Sequence, residues 1–158
     1  MTFTIKTIAD SIAGHFSALL PGVTWYEDPN QQGTVCPCAF LQLMTSDVKL
    51  KQAGRLLRTL RFDLTYLEDY NLPDLQRRYQ EAQEILDLNF ETFVYTDGSV
   101  DDKQKPVTTI LRTYNRQASI DMDALHYKFD LHIWLDPVED ANFMQSLSLI
   151  LEVTNGQN

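Results

Sequence analysis

The chain has 158 residues, 44% of them apolar, with 22 acidic against 13 basic side chains, a formal net charge of −9 and a pI near 4.6. That apolar share excludes disorder, the length fits one domain over residues 1–158, and the acidity excludes wholesale or sequence-specific nucleic-acid binding and docking on anionic lipid. No stretch reaches the roughly 20 apolar residues of a membrane helix.

Residues 1–20 do not read as a signal peptide, because Asp10 and His15 interrupt spaced apolar positions. A cytoplasm-like compartment follows. Ile5, Ile8, Ile12, Phe16 and Leu19 recur at steps of three and four, which predicts a helix with one buried stripe, stopped by Pro21-Gly22. Val23 to Tyr26 is a short strand, Glu27 to Gly33 a surface loop, and Cys38 to Met44 a central strand with Pro37 just before it. Ser46 to Leu57 is a connection or an extension of that strand. Leu60 to Tyr66 then alternates apolar and polar residues without a break, the period of a half-buried strand.

Leu72, Leu75, Tyr79, Ala82 and Leu86 define a second helix, with Pro73 in its first turn and Asn71 or Leu72 at its cap. Asn89 to Tyr95 reads as strand, Thr96 to Lys105 as a polar loop, and Val107 to Arg116 as strand. Asp121 to Asp123 turns into Leu125 to Ile133, which alternates as Leu60 to Tyr66 does and shares its Phe-Asp-Leu core, so residues 107–135 form a hairpin. Asp136-Pro137 ends it. In the C-terminal piece, Leu147, Leu149, Leu151 and Val153 alternate as in a strand, although Phe143, Leu147, Ile150 and Leu151 would also suit a helix; strand is the stricter match. The order helix, strands, helix, strands predicts an α+β fold, a mainly antiparallel mixed sheet covered on one face by two helices. The other face is left to solvent or a partner.

Little in the chain points to catalysis. Cys36-Pro37-Cys38 has one residue between its cysteines, too few for the usual zinc spacing and a poor fit to a disulfide. His15, His126 and His132 are scattered, so two reduced thiols are expected and neither metal nor cofactor. Asp63 and Asp130 occupy matching places in the two alternating strands. Close together they could split their pKa values and do acid–base work; the plainer expectation is two carboxylates facing solvent, paired with Arg61, Lys128 or His132 across strands. Neither phosphate-cradling glycine motif nor a nucleophile elbow is present.

The charge layout says more. Lys49, Lys51, Arg55, Arg58 and Arg61 fall within a stretch that has no acid between Asp47 and Asp63. Removing those five from the 13 bases leaves 8 against 22 acids, a net of −14 for the rest of the chain. Such an island could meet an acidic surface on another copy or a partner, or it could be a solvated strand edge where lysines block stray pairing. On the first reading Leu50, Leu56, Leu57 and Leu60 form an apolar seam between the charges. Asp97, Asp101 and Asp102 are then candidate counterparts on the neighbouring copy.

Several segments, in order, resemble the small tail terminator proteins of phages and prophages. They are Leu20-Pro21-Gly22, Trp25-Tyr26-Glu27-Asp28, Gln32-Gly33, Pro37-Cys38-Ala39-Phe40, and Arg58 through Phe62-Asp63 to Tyr66. The Asp121–Trp134 hairpin is similar to that family's second half, so the likeness spans about residues 5–135. Ala39 stands where an aromatic is usual, and the loop at 96–105 and the C-terminal extension are longer. The resemblance implies a structural virion protein without enzymatic activity or cofactor. It implies a homo-oligomeric ring, a hexamer, assembled in the host bacterial cytoplasm and located in the virion tail. The ring would cap the tail tube and present a surface to head–neck connector proteins. Two other readings use the same residues: a neck or head–tail connector, and a small-molecule-binding or hydrolytic domain with its pocket at Asp63 and Asp130.

Overall fold

The structure is a computed structural model and describes residues 1–28 and 33–135. Two helices, α1 (Ile5–Leu19) and α2 (Leu75–Asn89), accompany six strands: β1 (Thr24–Tyr26), β2 (Cys38–Leu50), β3 (Leu56–Leu67), β4 (Thr92–Tyr95), β5 (Thr109–Ile120) and β6 (Leu125–Leu135). The strand order is β1-β2-β3-β6-β5-β4. Among the described residues only β1–β2 is parallel; the other pairs are antiparallel. This is the expected α+β architecture. The expected strand over 147–153, and the stop at Asp136-Pro137, lie outside the described residues.

Each helix begins and ends for local reasons. Thr4 caps α1 in a reciprocal box with Thr7, each side chain taking the other's backbone N–H. Leu20 N–H closes its last turn on Phe16, and Gly22 then turns the chain away at φ +87°. Helix α2 starts at Leu75, one turn later than Leu72 suggested, because Asp74 rather than Asn71 occupies the cap position. It runs to Asn89, which the sequence had placed in strand.

The buried stripes of both helices, Ile8, Ile12 and Phe16 with Tyr79, Ala82 and Leu86, meet one face of the sheet. That face carries Ala39 from β2, Leu60, Phe62, Leu64 and Tyr66 from β3, and Leu125, Tyr127, Phe129, Leu131 and Ile133 from β6. The two look-alike strands are direct neighbours, with Phe62 opposite Phe129 and their rings 5.8 Å apart. Their pairing runs without a shift from Leu56↔Leu135 to Tyr66↔Leu125.

The flanking strands are irregular. β2 gains one residue between Leu43 and Thr45, and β5 gains one between Tyr114 and Gln117. Both bulges lie beside the row that holds Arg61 and Asp130. In β5 the extra residue uses Asn115 at φ 49°, a left-handed conformation that asparagine tolerates better than most residues.

The start of the chain is tied down on α1's side of the sheet. Phe3 stacks on Tyr95 at 4.8 Å, the Tyr95 hydroxyl donates to the Thr2 carbonyl, and Thr2 N–H donates to Asp97 at 2.6 Å. Asp97 also accepts from the Ser99 hydroxyl and N–H. These donors, the Ser99 hydroxyl foremost, hold its carboxyl well below the usual carboxylate range. A lowered folded pKa gives an anchorage that is full above the ordinary aspartate value of about 3.9 and is lost as pH falls through the folded value. The Thr2 amide should therefore stay protected from hydrogen exchange at pH 4 and lose protection only in stronger acid. Asp97→Ala should expose it at every pH. Equal protection of Thr2 in parent and variant would refute the anchorage.

Candidate subunit and partner interface

Beyond the bulges, Ser46–Leu50 of β2, Leu56–Leu60 of β3 and Leu131–Leu135 of β6 continue as a three-stranded arm. Its turn is tight: Ala53 and Gly54 both have positive φ, at 60° and 72°, and Lys51 N–H donates to the Arg55 carbonyl at 2.8 Å. The Ser46–Leu57 segment is thus strand extension on both sides of a short 3-10 turn, Gln52–Gly54.

The arm is where apolar and basic side chains are exposed together. Val48 is 50% exposed and Leu50 72%, with Leu56 and Leu57 half-buried. Lys49 and Lys51 are exposed, and Arg55 lies over the Trp134 ring at 4.7 Å, a cation–π contact with the end of β6. Arg58 is half-buried opposite Ile133, and its Nε is buried without a hydrogen-bond partner among the described residues. Four of the five island bases therefore sit on the arm.

Arg61 is used differently. It faces Asp130 directly and bonds it at 2.8 Å, while the bulge at Asn115 delivers a second donor to the same carboxylate at 2.8 Å. A neighbouring network joins Asp63, Thr65 and His126: His126 Nδ1 lies 3.0 Å from Asp63, and its Nε2 lies 3.4 Å from Asp121. Asp63 and Asp130 are 6% and 8% exposed. The expected solvent-facing carboxylates are therefore buried, because neighbouring strands and the bulges fold polar partners over them. They stand on a diagonal across β3 and β6, each with its own hydrogen-bond donor. Arg61 is the partner expected for Asp130; Asp63 takes His126 instead of Lys128. Two separately satisfied carboxylates make a structural polar layer.

Cys38 begins β2 and Cys36 stands just before it. Cys36 and Cys38 are free, with sulfurs 4.0 Å apart, and burial followed by the adjacent Cys36 pushes the Cys38 thiol up to about 11. A thiol raised that far is a poor nucleophile and a poor ligand at neutral pH. Among the described residues no three His, Cys, Asp or Glu side chains are grouped to hold a metal ion, and no helix is long and apolar enough to cross a membrane.

The acidic candidates lie in the loop between β4 and β5, after Tyr95 and before Thr109. Asp97 is engaged with Thr2 and Ser99. Asp101 Oδ1 accepts from Lys103 and Lys105 N–H, both at 2.8 Å, and so shapes the loop. Asp102 is exposed. The strand order sets this loop beyond β4, at the edge of the sheet opposite the one to which β2 belongs. In the strand order the bases and the acids thus belong to opposite ends of the sheet.

The signal that sequence reasoning missed was Asn115. Asparagine is poorly suited to a strand interior, and its position between Tyr114 and Arg116 marks the bulge that completes the Asp130 site.

A family model described as "Phage tail terminator protein" matches residues 5–142, while no curated protein matches the chain. The chain therefore belongs to the phage tail terminator family, a family of structural phage tail proteins.

Proposed function

From that membership we propose that this protein closes the growing phage tail tube as a homo-oligomeric ring, a hexamer, and offers the ring's far side to head–neck connector proteins. It acts structurally, without catalysis, in the virion tail after assembly in the host cytoplasm. The observation that carries this reading is the separation of opposite charges to opposite edges of one sheet. A basic apolar arm at the β2 edge and an acidic loop beyond β4 suit head-to-tail contact between identical copies, and a head-to-tail contact that closes is a ring. Lys49, Lys51, Arg55 and Arg58 would meet Asp102 and the Asp101 loop of the next copy. Arg61 and Asp97 would support the two surfaces from within.

Sedimentation of the purified protein, alone and with tail tube protein, tests the proposal. A single closed oligomer, or one formed on the tube, is the expected result. Phage lacking the protein should yield tails of irregular length that do not join heads. A protein that stays monomeric under both conditions, with normal tails in its absence, would overturn it.

A further inference from the structure

Two exposed apolar strips lie far apart in the strand order. At the arm's tip Leu50 is opposite Leu56, and Val48 lies two residues back on the same side of β2. Leu56 keeps the alternation of Leu60 and Phe62, and cross-strand partners share a face. This strip therefore lies on the face that the helices cover farther along the strands. At the other end Val94 of β4 is opposite Ile110 of β5, and they are 58% and 69% exposed. Phe93 and Tyr95, on either side of Val94, are buried in the core, so Val94 and Ile110 stand on the opposite face. Val100, 52% exposed, follows in the acidic loop.

We propose that these strips form the apolar seam between successive copies, with Val48 and Leu50 of one copy packed on Val94 and Ile110 of the next. The inference rests on the ring reading above and names the contact that builds the ring. Three observations select a second copy as the occupant. The first is charge. Lys49 and Lys51 flank Leu50, whereas Asp101 and Asp102 follow Val100, so each strip is rimmed by the sign that the other lacks. The second is face. A strip on one face at one end and its counterpart on the opposite face at the other end mate by repeating a single step, so that copies overlap like roof tiles. Two strips on one face would instead require the second copy to be turned over, the geometry of a two-fold pair.

The third is height along the strands. Thr113 is opposite Leu131 in an antiparallel ladder, so the start of β5, with Ile110, lies towards the Leu135 end of β6. That is also the end at which Leu135, Leu56 and Leu50 stand in one row. Contacts at similar height add little climb per copy, and a head-to-tail contact without climb closes on itself.

Sedimentation of Leu50→Asp and Ile110→Asp, each alone and in equimolar mixture, tests the seam under the condition in which the parent assembles, alone or with tail tube protein. Both positions are exposed, so each variant should melt with the parent. A carboxylate forced into the seam should weaken assembly of either variant roughly tenfold or more. The mixture should form a heterodimer and nothing larger, because each variant keeps one intact strip and the two intact strips meet only once. Either variant assembling as the parent does would overturn the seam and leave the ring reading standing. So would a mixture that stays monomeric at about a hundredfold the concentration at which the parent assembles, an excess that allows for the lost avidity of ring closure. A parent that is monomeric both alone and with tail tube protein would overturn the ring reading and the seam together.

Discussion

Phe129→Ala should lower the free energy of unfolding by about 3–5 kcal/mol, a large share of what a domain of this size has. Phe129 is fully buried in β6. Its ring lies 5.8 Å from Phe62 on the neighbouring strand and 5.1 Å from Phe90, which follows α2. Removing it opens a cavity where the central strands meet the residue that ends a helix, and rigid neighbours on three elements leave little room for collapse. Phe62→Ala should behave alike. Chemical denaturation followed by tryptophan fluorescence measures both. A loss below about 1 kcal/mol in each would contradict this packing, and the register of the β3–β6 ladder with it.

Lys51→Glu combined with Arg55→Glu should weaken self-association, or docking on the tail tube, at least tenfold without unfolding the protomer. Lys51 is exposed at the arm's turn, so its reversal costs the monomer little. Arg55 gives up its place over Trp134, worth about 0.5–1 kcal/mol at an exposed site. Between copies the same changes replace attraction by repulsion, which falls most heavily on encounter and register. Asp102→Lys in the reversed protein should restore part of the association, whereas Asp101 is a poorer choice because its carboxylate holds the loop through Lys103 and Lys105 N–H. Light scattering at low and physiological salt gives the answer, since an electrostatic contact weakens as salt rises. Unchanged assembly under both conditions would leave the arm as solvated surface.

Much of the fold could be read from residue order. Period-two alternation in Leu60–Tyr66 and Leu125–Ile133 identifies two strands with one apolar face each, and the two pair in one ladder with Phe62 opposite Phe129. The helix stripes were equally plain, because each keeps its spacing for several turns. The polar face was not legible. Alternation tells which side chains share a face but not what covers that face, and Asp63 and Asp130 were expected in water. Their burial depends on Asn115 and His126 arriving through bulge geometry and cross-strand neighbours, which no local pattern encodes. The basic island was visible as composition. That Arg61 is held by Asp130 while Lys49, Lys51 and Arg55 stand at the far end of β2 and in the turn after it depends on the register between strands.

The unshifted pairing of β3 with β6 has a mechanical meaning. Both bulges lie in the strands that flank this ladder, so irregularity is confined to its sides and the central hydrogen bonds stay in register from the arm's tip to the helix-covered end. A pull on the arm along its length would load these bonds in shear, so that many must rupture together, whereas a sideways pull would peel β2 away bond by bond. The protein is stiff along one axis and compliant across it.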